Sequence, residues 1–106
     1  MAITANVDLG NGVTASSCYI IVPNAYVKKF APEKDDESAT FKLIYDAHIY
    51  QNKSARDDYN RVSKQIRCRE VDHHKIDYDP TTSDNPFKLA YTHLKSNSKL
   101  SSVADA

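Results

Sequence analysis

Apolar and polar side chains alternate along residues 2–9. Ile3, Ala5, Val7 and Leu9 share one face, and Thr4, Asn6 and Asp8 share the other. A period of two belongs to a half-buried strand. GNG follows at 10–12 and contains both glycines of the chain. Glycine accepts the positive φ of a tight turn, so the pattern predicts a first hairpin. The returning segment, VTASSCYIIVPNAYVKKF, begins by alternating and is then continuously apolar over Cys18–Val22. A run of that kind fits a strand covered on both faces. Pro23 cannot donate to a ladder, so it predicts an end, a bulge or an edge, with NAYVKKF resuming as an outer strand.

APEKDDESA at 31–39 is charged, contains proline, and reads as an exposed loop. Alternation returns over 40–51, with Phe41, Leu43, Tyr45, Ala47 and Ile49 on one face and Ile44 as the exception among polar neighbours. No Gly or Pro then stops the chain. Ser54 as a hydroxyl cap and Asp57 near the positive end of the dipole predict one or two helical turns over 54–60. The stretch VSKQIRCREVDHHKIDYDP reads as a returning strand with a bend near 72–74. Asn85 as a cap and Pro86 at the first helical position open a helix near 86–96. Phe87, Ala90, Tyr91 and Leu94 form its apolar stripe. The tail, 97–106, is free to fray unless Leu100 and Val103 dock. The elements add up to a single α+β, mainly β domain over 1–106. It would be an antiparallel β-sandwich or curled sheet with a short insertion helix and a C-terminal amphipathic helix.

Composition narrows the class. Fourteen basic and fourteen acidic residues cancel, so the chain lacks the footprint of a general nucleic-acid or anionic-membrane binder. No segment approaches the ~18 consecutive apolar residues of a membrane span, and MAITANVDLGNG lacks the layout of a signal peptide. These features predict a soluble protein made in a cytoplasm. Cys18 and Cys68 sit in no CxxC or metal-ligand spacing and read as small buried side chains.

Candidate chemistry is sparse. In DHHKIDYD, strand alternation sends His73 and His74 to opposite faces, and Asp72 with His74 makes only two ligands. No serine stands in a strand–turn–helix elbow, and no glycine-rich loop exists to hold phosphate. The residues therefore nominate no catalytic group, metal ligand or cofactor. Arg67 and Arg69 on one strand face, with Tyr19 and Tyr45 on theirs, would suit a single-stranded nucleic-acid binder. Glu70, Asp72 and the zero net charge argue against it. A protein interface is better supported, because Tyr and Arg are favoured contact residues. Its candidates are Gln51, Arg56, Tyr59 and Arg61 on the excursion after Tyr50, followed by Arg67 and Arg69.

Three segments carry a family resemblance. NVDLGNGVTASSCYIIV opens the chain. FKLIYDAHIYQNKSARDD matches a unit in which relatives place KxAR- or EAAR-like residues. NPFKLAYTHLKSNSKLSSVADA stands where they carry an AYxxLKxLPEFxxAxD-like helix and tail. In this order the chain resembles small virion-associated proteins encoded among the tail and baseplate genes of tailed bacteriophages. It departs from them at its less apolar end. The resemblance implies a minor structural protein mediating contacts at the tail, baseplate or fibre attachment point, or else a capsid decoration or collar protein. Its partners would be other virion proteins and copies of itself in a symmetric assembly, in the virion and, during assembly, in the host cytoplasm. No membrane or cofactor is implied.

Overall fold

The computed structural model describes residues 2–30 and 39–106. Six strands form one antiparallel sheet: β1 (Ile3–Gly10), β2 (Val13–Phe30), β3 (Thr40–Tyr50), β4 (Gln65–Ile66), β5 (His73–Asp77) and β6 (Leu100–Asp105). The order is β4-β3-β2-β1-β6, and β5 also pairs with β3. Three helices accompany them: α1 (Lys53–Asp57), α2 (Arg69–Asp72) and α3 (Pro86–Lys95). Of the two arrangements open to the sequence, sandwich or curled sheet, the described strands make a single sheet. A helical layer stands where a sandwich would place a second sheet. The charged loop expected over 31–39 lies, apart from residue 39, outside the described residues.

The first hairpin closes as its glycines require. Gly10 pairs with Val13 across a two-residue turn in which Asn11 has φ 54° and Gly12 φ 78°. Two positive φ values in succession match the twist of the flanking strands. Beyond the turn β2 does not keep one parity. An extra residue opposite Ala5–Val7 and another between Ile21 and Asn24 bulge it twice. The inward set therefore reads Cys18, Ile20 and Val22, then Ala25 and Val27. Pro23 stands in the second bulge, where no ladder donor is needed. Tyr19 and Ile21 keep partial exposure, so Cys18–Val22 is not covered on both faces. Within the run the faces alternate regularly, with Cys18, Ile20 and Val22 buried, and the apolar Tyr19 and Ile21 stand on the more open face.

One face of the sheet holds the core: Ile3, Ala5, Val7, Cys18, Ile20, Leu43, Tyr45 and Ile49, closed by Val71 of α2 and Ala90, Tyr91 and Leu94 of α3. Asn85 caps α3 by accepting from the Phe87 N–H at 2.7 Å, and Pro86 follows it, as expected. Phe87 shares the stripe's angular position but sits in the first turn and stays 41% exposed. Burying Tyr91 and Leu94 contributes about 1.5–3 kcal/mol each before entropy losses.

The returning strand is corrected, and the condition set for the tail is met. The returning strand over 62–79 is broken into a 3₁₀ turn (Arg61–Lys64), β4, α2 and β5. The helical turn of α2 makes the bend, and it exists because Val71 must swing into the core. The tail does not fray but pairs as β6 with β1, from Ile3 opposite Asp105 to Val7 opposite Leu100. Leu100 is buried, and Val103 packs against the core.

Candidate protein interface

The excursion after β3 is built from local hydrogen bonds. Asn52, not Ser54, caps the helix, its side chain accepting from the Ala55 N–H at 2.9 Å. The helix is accordingly Lys53–Asp57 rather than 54–60. Lys53 and Asp57 pair at 2.8 Å across one turn. Asp58 turns the chain back, accepting from the Asn60 N–H at 2.8 Å and from Lys64 Nζ at 2.9 Å. The Ser63 hydroxyl donates to the Asn60 carbonyl. The Lys64 and Asn60 bonds hold the Asp58 carboxyl below its usual range, and Lys53 does the same for Asp57. Each of these acids is thus already engaged within the excursion.

Arg61 stands outward between two large apolar groups. Tyr59 is 96% exposed and Val62 is 81% exposed. Together with Asn60 and Ser63 they line a hollow of about 320 Å³. A second hollow of about 510 Å³ lies among Gln51, Asn52, Ser54, Ala55, Asp58 and Lys64. Tyrosine brings rigid contact area at little entropic cost.

The expected interface residues divide into two groups. Gln51, Tyr59 and Arg61 are exposed on the excursion, and Arg56 is half-buried beside Asp57. Arg67 and Arg69 do not share a strand face. Arg67 follows β4 and donates to Asp72 at 3.0 Å, while Arg69 starts α2. Tyr45 and Tyr19 fall on opposite faces, because the bulge at Pro23 shifts the register between them. That removes the stacking surface that sequence spacing had offered to a single strand. Val62 was not singled out in the sequence, although an apolar side chain between polar residues on a short connection was the available signal.

The histidines are occupied separately. His73 pairs with Asp46 at 2.5 Å, and Asp72 accepts from Arg67 and from the Cys68 N–H. His74 bonds the Val71 carbonyl at 3.0 Å through Nε2 and stacks on Tyr45. Across the ring of Tyr45, whose hydroxyl lies 2.6 Å from His93 Nδ1, His74 meets His93 edge-on at 5.2 Å. Burial pushes the Tyr45 phenol well above its ordinary value, so it stays protonated beside His93. Burial, and then the charge His93 would carry, lower His74. Among the described residues no three His, Cys, Asp or Glu side chains converge as metal ligands. No helix among them is long and apolar enough to cross a membrane.

The class these features define is a mainly β, single-sheet domain with a helical layer and an exposed pair of side chains, Tyr59 and Val62, on the excursion after β3. No family model, curated protein or solved structure matches the chain.

Proposed function

We propose that the chain is a minor structural subunit of a tailed-bacteriophage particle, gripping neighbouring proteins at the tail, baseplate or fibre attachment point. The observation that carries the contact role is Tyr59 with Val62, exposed on an excursion whose acids Asp57 and Asp58 are already paired, with Arg61 exposed between them. Tyrosine and arginine are among the side chains most often found at the energetic centre of protein contacts. The placement in a particle rests on the order of the three sequence segments.

Quantitative mass spectrometry of purified particles tests the reading. The chain should be present in a fixed copy number set by the symmetry of the attachment point. Tyr59→Asp with Val62→Asp should leave it folded but missing from the particle. Particles that are complete and infectious without it would overturn the reading. So would turnover of a small molecule by the purified chain.

A further inference from the structure

We infer that two copies of this chain pair edge to edge through the second half of β2, residues Asn24–Phe30, in an antiparallel two-fold contact centred on Val27. β1 pairs with β2 only as far as Ile3 opposite Ile20, whereas β2 runs on to Phe30 along β3. Over Asn24–Phe30 the side of β2 away from β3 therefore has no strand partner among the described residues. Seven residues span roughly 23 Å, an ordinary strand length. The other free edges are poorer templates. Ser102 has φ 51° and kinks β6, β4 is two residues long, and α2 interrupts the line between β4 and β5.

The edge is self-complementary. A two-fold axis at Val27 sets Tyr26 opposite the partner subunit's Lys28, Asn24 opposite the partner subunit's Phe30, and Ala25 opposite the partner subunit's Lys29. No like charges stand directly opposite one another. Every pairing joins residues of the same parity, so the open face meets the open face and the core side meets the core side. Tyr26 is 53% exposed and free to receive an ammonium. Edge lysines commonly prevent such pairing. Here Lys28 Nζ lies over the Phe30 ring at 5.1 Å, on the sheet face rather than across the edge. Pro23 and the bulge before it stop the edge at Asn24 and define its register. The contact concerns copies of this chain and is independent of the docking role of Tyr59 and Val62.

Sedimentation of the purified chain across a concentration series, with hydrogen exchange at both ends of the series, tests it. A concentration-dependent dimer is expected, with added amide protection confined to 24–30. Tyr26→Lys sets lysine against lysine twice and should weaken the dimer by about tenfold. Adding Lys28→Glu should restore it through two ion pairs. A monomer at every concentration overturns the proposal. So does a dimer indifferent to Tyr26→Lys, or one whose protection lies elsewhere. The exchange measurement needs no variant and decides the matter even if a substituted chain fails to fold.

Discussion

Val22 shows how single groups hold this fold. In the bulge its N–H leaves the ladder and donates to the buried Tyr91 hydroxyl at 2.8 Å. Removing that acceptor with Tyr91→Phe strands a buried donor, which costs about 1–3 kcal/mol. Urea denaturation should show that loss with little change in slope. His74 gives a second residue-scale prediction. Its folded value is lowered from 6.5 by burial and then by His93, against the weaker opposing pulls of the Val71 carbonyl and Asp72. Below pH 6.5 the unfolded chain takes up the proton while the folded chain resists it, so the unfolded state binds more protons. The contribution of His74 is whole above 6.5 and declines as pH falls toward its folded value. Melting temperature should drop over that window, and His74→Gln should shrink the drop. An equal drop in the variant would assign the effect to other groups, such as the carboxylates.

Among the elements, the first hairpin and α3 were legible because their signals are local. Asn11-Gly12 states its own turn, and Asn85-Pro86 states its own helix start. Gly12→Ala forces a side chain into φ 78° with nothing within 4 Å to hold it there. It should cost roughly 1 kcal/mol or more in chemical denaturation. β6 was not legible, because LSSVAD carries only two apolar anchors and becomes a strand by borrowing the edge of β1. Its stability rests on Leu100, and Leu100→Ala should lose about 2–5 kcal/mol. A substitution without effect would show that the tail is not part of the core. α2 escaped the sequence for a related reason. A four-residue turn has no period to read, and only the core's need for Val71 creates it.

For the molecule as a whole, the helices close one face of the sheet, and the chain extends to 50 × 30 × 24 Å. The candidate interface and stability are therefore separable. Tyr59 and Val62 lie outside the core, so Tyr59→Ala with Val62→Ala should change unfolding free energy by no more than about 0.5 kcal/mol. Incorporation into an assembly should fall sharply in the same variant. A large loss of stability would mean that the excursion supports the fold rather than a neighbour. The candidate interface was half-visible in advance. Gln51, Arg56, Tyr59 and Arg61 could be placed on an outward excursion from the end of β3. Arg67 and Arg69 do not share a strand face, because a 3₁₀ turn, β4 and α2 break the strand there.

Periodicity of two, two glycines in one turn and a capped amphipathic helix were enough for the sequence to determine a small, mainly β domain and where most of its core residues lie. Those signals act between residues a few positions apart, so the local chain carries them. Tertiary structure alone decided the parity of β2 after its bulges, the conversion of the tail into β6 and the helical turn of α2. Each depends on what lies across the sheet or over the core. A bulge of one residue reverses every side chain beyond it and leaves no mark in composition.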